Sequence, residues 1–170
     1  MIFIFWGVIA LVFAGVHLLR HKEPRNRETV LEWLLVYWLM IALGLSGIVG
    51  GLYHIFDGVQ IAEEIGFTRG DGGFQFENAM GDIAIGTVCF LSRFIRNEWW
   101  WAAALIAATI SLWGDGYGNI YQAIEYDNHD VDNTGPVLYT DFLYPLIGIV
   151  LYALWWRARG GRGVARAAGA

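Results

Sequence analysis

VLEWLLVYWLMIALGLSGIVGGLYHIF, residues 30–56, carries one charged side chain, Glu32, and decides the fold. At a rise of 1.5 Å per residue such a stretch makes a helix about 40 Å long, more than the roughly 30 Å of a bilayer's hydrocarbon. The preceding Thr29-Val30-Leu31-Glu32 has the spacing of a capping box, which sets a helix start there. Outward from this segment lie four further apolar runs: Ile2–Leu19, Gln75–Phe94, Trp99–Asn119 and Val137–Trp156. Only the run from Gln75 is interrupted early, by Glu77, Asn78 and Asp82. Neither Lys nor Arg precedes the first run, and no small-residue cleavage pattern follows it. It reads as a retained anchor, with a signal peptide as the alternative.

The whole chain agrees with this segment. Its 170 residues are 56% hydrophobic and 16% charged, with nine Trp and a mean hydropathy of +0.45. About a quarter of an ordinary soluble domain is charged, so the composition excludes both a typical soluble domain and a disordered one. A net charge of −5 leaves no basic face for nucleic acid. One cysteine, Cys89, excludes an internal disulfide.

Lys and Arg accumulate on the cytoplasmic side of membrane proteins. If all five runs cross, ten of the eleven basic residues fall on one side and only Arg69 on the other. Of the sixteen acids, only Glu23, Glu28, Glu32 and Glu98 share that basic side. The sequence therefore predicts an all-α, polytopic bundle of five transmembrane helices over residues 1–156. Its N-terminus would be outside, and a basic, disordered cytoplasmic tail would occupy 157–170. The location implied is the cell's inner (plasma) membrane, multi-pass, with the lipid bilayer as first partner. Between runs two and three, Val59, Ile61, Ile65 and Phe67 against Glu63 and Glu64 suit an interfacial helix ending in the Gly70–Gly73 turn. Trp99, Trp100, Trp101, Trp155 and Trp156 read as interfacial anchors, and Tyr139 and Tyr144 as part of the same aromatic belt. Gly47–Gly51 and Gly114–Gly118 have small-xxx-small spacing, read as packing within the bundle.

Ionisable groups inside these spans demand an explanation, because a charge at that depth costs several kcal/mol unless paired, hydrated or neutralised. Counted from the cytoplasmic markers, Glu77, Asp115 and Asp141 each stand about 24–25 Å up, with Asp82 deeper at about 16 Å and His54 at the top of its helix. Asp115, Asn119 and Gln122 recur at i, i+4 and i+7, and Asn78 and Asp82 at i, i+4, each set on one helix face. Tyr117 and Tyr121 add hydroxyl donors. The expected site is an outward-facing acidic pocket for a cation or a small polar or lipid head-group ligand. Glu77, Asn78, Asp82, Asn119 and Tyr117 would contact the ligand. His54, Glu77, Asp115 and Asp141 form an oxygen-rich set whose cofactor would be a divalent cation. The alternative reading is an accessory or scaffold subunit docking membrane-protein partners through its glycine faces and acidic outer loop.

Other signatures are missing. No Glu-x-x-His pair, His-Glu-x-x-His, Cys-x-x-Cys, Gly-x-Ser-x-Gly or phosphate-binding glycine loop occurs, so no catalytic signature is found. Asp130–Gly135 with Asp141 partly matches a calcium loop, but Pro136 and an Asp in the last position favour a plain turn. His17 reads as bonded to a neighbour.

From Arg25 to about Pro145 the pattern resembles a bacterial and archaeal family of small integral membrane proteins of unknown function. The residues that carry it are Arg27-Glu28, Ile65-Gly66-Phe67 and Phe74-Gln75-Phe76-Glu77 with Asn78 to Gly81. Gly114–Tyr121, Asn133-Thr134-Gly135-Pro136, Tyr139 and Asp141 complete it. The Phe-Gln-x-Glu element is the most specific part. Asn119 stands where that pattern has histidine, which weakens the metal reading here. The resemblance implies a four- or five-helix bundle and no activity, and it singles out Glu77, Asn119 and Asp141.

Overall fold

We describe the chain from a computed structural model covering residues 2–21, 25–66 and 72–168; these are helices and short turns, with no strand among them. In chain order, α1 is Ile2–Arg20, α2 is Arg27–Tyr37, α3 is Ser46–Phe56 and α4 is Gly58–Glu64. Gly72–Leu91 forms α5, Glu98–Tyr126 α6, Val131–Thr134 the single turn α7, and Pro136–Ala168 α8. A π-helical segment, Trp38–Leu45, joins α2 to α3, so that residues 27–56 form one unbroken rod.

The rod starts earlier than the capping box predicts. Asn26 is the N-cap, its side chain accepting from the Thr29 amide at 3.1 Å. Asn caps a helix at least as well as Thr, and Glu32 is engaged elsewhere, in an ion pair with Arg96. Residues 27–56 and 131–160 are long and apolar enough to cross a membrane, whereas Phe5–Arg20 is apolar but shorter. The sequence predicts five such spans; by length and composition the described residues hold two. Gln75, Glu77, Asn78 and Asp82 dilute α5, and Asp115, Asn119, Gln122 and Glu125 dilute the outer half of α6. The last helix does not stop at Trp156 but continues to Ala168. Phe67, Arg69, Gly70 and Asp71 lie outside the described residues, while Gly72 and Gly73 already belong to α5.

The core is built around the rod. Leu35, Val36, Leu39, Ala42 and Cys89 are fully buried, with Ala10 and Ala14 of α1 and Ala104 of α6 against them. α3 and α5 form the closest seam. A Cβ on Gly86 would lie 2.8 Å from both the Gly44 carbonyl oxygen and the Ile48 nitrogen, and one on Gly51 2.8 Å from the Ala79 carbonyl oxygen. Gly47 lies in the same seam, as its spacing predicts. Gly114 and Gly118 do not: no atom lies within 4 Å of where their Cβ would stand. Between them, Gly116 packs on the Phe142 ring.

At the basic end, Trp33 is the layer between two sets of rings and cations. The His17 ring lies 3.7 Å from it and stacks at 4.1 Å on His21, while Arg96 and Arg93 sit 4.2 and 4.9 Å over Trp33. His17 Nδ1 is 3.2 Å from the Tyr37 hydroxyl, the neighbour bond that the sequence predicts. Trp101 is buried, not interfacial, and donates to the Ser92 and Ile95 carbonyls at 2.9 and 3.1 Å, closing the turn between α5 and α6. Trp155 is buried beside it, with ring centroids 5.1 Å apart, leaving Trp99 and Trp156 exposed. Tyr144 likewise leaves the belt: it is buried and accepts the Gly7 amide at 2.9 Å.

Candidate functional site

The half of the bundle opposite the arginine-rich end gathers polar groups from four helices. Gln75 opens the inward stripe of α5, 1% exposed, one turn above Ala79 and two above Asp82. Its Oε1 lies 2.6 Å from His54 Nδ1. An amide oxygen only accepts, so His54 Nδ1 is the donor there. That fixes the ring and turns Nε2 toward Asp82 Oδ2, 4.0 Å away. The tight α3–α5 seam below holds His54 and Asp82 in register, since Gly51 meets Asp82 Cβ directly.

Asp115 of α6 lies within electrostatic range of both Asp82 and His54, and Asp141 of α8 within range of Asp115 and Asp82. The three acids differ in access. Asp141 is 6% exposed, the Asp82 side chain 22%, and Asp115 stands in the open. Asp141 Oδ2 has no hydrogen-bond partner among the described residues. Pro145, inside α8, adds to this. A proline has no N–H for the carbonyl four residues earlier, and that carbonyl belongs to Asp141. Asp141 is thus a buried residue whose carboxyl has an unmet oxygen and whose carbonyl loses its usual i+4 helix donor.

Between α5 and α6 the site opens. The two helices meet near the basic end, where Trp100 Nε1 donates to the Val88 carbonyl at 3.2 Å and Cys89 Sγ lies 3.6 Å from the Ala104 carbonyl. Gly81 stands two turns above Val88 on the same face, and Gly114 and Gly118 four turns above Trp100 and Ala104. All three have empty space where a side chain would be. The pair therefore splays into a crevice with Asp82 on one wall and Asp115 on the other.

A strap crosses this acidic end of the bundle. Asn128 Nδ2 donates to the Ile65 carbonyl at 2.8 Å, the Asp132 carboxyl reaches Glu64, and Asn133 Nδ2 donates to the carbonyls of Asn128 and Asn119 at 2.7 and 3.2 Å. Gly66, at φ +83, lets the chain pass beneath Asn128 and Asp130, where a Cβ would collide with both. The Asp130–Gly135 segment that partly matched a calcium loop is this strap, with α7 in it.

Of the residues expected in the pocket, His54, Asp82, Asp115 and Asp141 come together. Glu77 does not. It lies two residues, or about 200°, around α5 from Gln75 and is exposed, one turn above Gly81 at the rim of the crevice and away from the buried carboxyls. Tyr117 is 69% exposed on the outside of α6. Asn78 and Asn119 are half-buried, and Asn119 gives the strap its backbone carbonyl. Without Glu77 the oxygen set disperses: among the described residues no three His, Cys, Asp or Glu side chains converge as metal ligands. Gln75 and Pro145 were missed. Gln75 lay within the Phe-Gln-x-Glu element, and its three-residue and four-residue spacing to Asn78 and Ala79 carries the signal.

A family model matches residues 1–161. The chain belongs to DUF6790, a family of unknown function. No curated protein and no solved structure matches it. The crevice of this DUF6790 chain must accordingly be read from its own residues.

Proposed function

We propose that this chain is an inner-membrane bundle whose outer half binds a cationic or hydrogen-bond-donating ligand in the crevice between α5 and α6. The five helices that cross would be α1, the rod 27–56, α5, α6 and α8 up to Trp156, with the N-terminus outside. Two stretches with sufficient length and apolarity support the membrane setting, and the one-sided distribution of Lys and Arg supports the orientation. Asp141 carries the functional reading: a carboxyl 6% exposed, with an oxygen that no described group satisfies, beside two further acids and one histidine. Burying such a group unmet costs about 1–3 kcal/mol, more if it is charged. A ligand that supplies donors or positive charge would offset that cost.

Native mass spectrometry with elemental analysis of the protein purified in mild detergent tests this. The expected result is an adduct on the wild-type chain that disappears in Asp141→Asn and Asp82→Asn while the oligomeric state is unchanged. A wild-type mass equal to the bare chain under gentle release would overturn the reading.

A further inference from the structure

Resting on that reading, we infer that the crevice takes the primary ammonium head of a membrane-dissolved amphiphile, which enters sideways between α5 and α6 with its apolar chain trailing into the lipid. Three observations lead there. The strap joins α4 and its following turn to α6 and α7 over the outer end, through Asn128, Asp132 and Asn133. The gap left by Gly81, Gly114 and Gly118 is on the flank of the bundle, and a flank in a bilayer faces lipid chains. The rims beside it are apolar, with Met80 of α5 and Ile110 of α6 both exposed.

The chemistry of the head follows from the acceptors. Asp141 presents Oδ2, a buried acceptor with no donor among the described residues, so the partner must bring a donor hydrogen as well as charge. A primary ammonium has three; a quaternary ammonium has none. A bare divalent ion would need three or more ligands drawn tightly together, and the acids are too dispersed for that. Exposure rising from Asp141 through Asp82 to Asp115 gives a head group a graded path inward along carboxylates.

The test uses the full chain in phosphatidylcholine nanodiscs with four photoreactive probes bearing the same long tail: a primary amine, a trimethylammonium, an alcohol and a phosphatidylethanolamine. The primary amine, the phosphatidylethanolamine or both should label peptides from α5 and α6 at least tenfold more than the alcohol or the trimethylammonium. Which of the two labels identifies a free amine or a lipid as the source. Asp141→Asn and Gly118→Leu should each reduce that labelling at least tenfold. The leucine enters open space, so the fold is retained, and an unchanged melting temperature verifies it. Equal labelling by amine and alcohol, labelling indifferent to Gly118→Leu, or full displacement by excess ethylamine would overturn the proposal. An adduct other than an ammonium amphiphile in the native mass spectrum would overturn it too, while leaving the acidic-site reading standing.

Discussion

Asp141 ties stability and function together at a single side chain. A buried carboxyl with an unmet oxygen is a cost carried by the ligand-free protein, and removing its charge should relieve part of it. Asp141→Asn is therefore expected to raise the thermal unfolding midpoint of ligand-stripped protein in detergent, by an amount equivalent to about 1 kcal/mol, while abolishing the adduct. An unchanged or lowered midpoint would mean that the carboxyl is already satisfied. The sequence made this residue legible through its depth alone, since an acid in an apolar run needs an explanation wherever it points. It made Glu77 equally prominent, but that side chain stands exposed on the Gly81 face, apart from the buried carboxyls. Depth along a helix follows from counting, but azimuth follows from which neighbours pack, and nothing in the α5 sequence announces that Gln75 turns to His54 while Glu77 turns away. Trp101 and Tyr144 teach the same lesson: an aromatic near a span end takes the core when a carbonyl or an amide waits there for its polar edge.

Two glycine patterns with the same spacing do opposite things at the level of the helix. Gly86 meets the backbone of Gly44 and Ile48, so Gly86→Leu must push α3 and α5 apart and should destabilise the protein by roughly 1–3 kcal/mol. Gly114→Ala enters open space and removes a flexible residue from mid-helix, so it should be neutral or stabilising by up to about 1 kcal/mol. Thermal unfolding of both variants in one detergent compares them; equal destabilisation would show that the crevice is a packed interface. Both pairs were visible in the sequence, but spacing says only that a close approach is permitted, not that a partner comes. The rod 27–56 was the most legible element, because its apolar length needs no partner to be read. Its π-helical middle was not: no residue pattern in Trp38–Leu45 announces it, and the contacts made there, Gly44 against the Phe90 backbone and the Trp38 bond to the Tyr144 carbonyl at 2.9 Å, are long-range.

Charge is sorted along the bundle of the whole molecule. Arg93, Arg96 and Arg159 gather at one end in ring and ion-pair contacts, and Asp82, Asp115 and Asp141 occupy the other half. The orientation this implies is checked by impermeant maleimide on intact cells. Cys89 is fully buried and gives no background. Asp127→Cys should label from outside, and Gly160→Cys only after permeabilisation; the reverse pattern, or equal labelling, would overturn the five-span topology. The two sides of α5 also differ in how they can move. On one side, backbone abuts backbone through Gly44, Gly47, Gly51 and Gly86, which locks α3 and α5 into a single slab. On the other, the hydrogen bonds to α6 among the described residues lie low, at Val88, Cys89 and the turn that Trp101 closes. The α6–α8 leaf is itself pinned to the rest of the bundle, by the Trp38 bond to the Tyr144 carbonyl, by Tyr144 to the Gly7 amide and by Asn128 to the Ile65 carbonyl. Bulk added in the glycine seam must therefore displace the slab itself, whereas bulk added at Gly81 or Gly114 meets nothing.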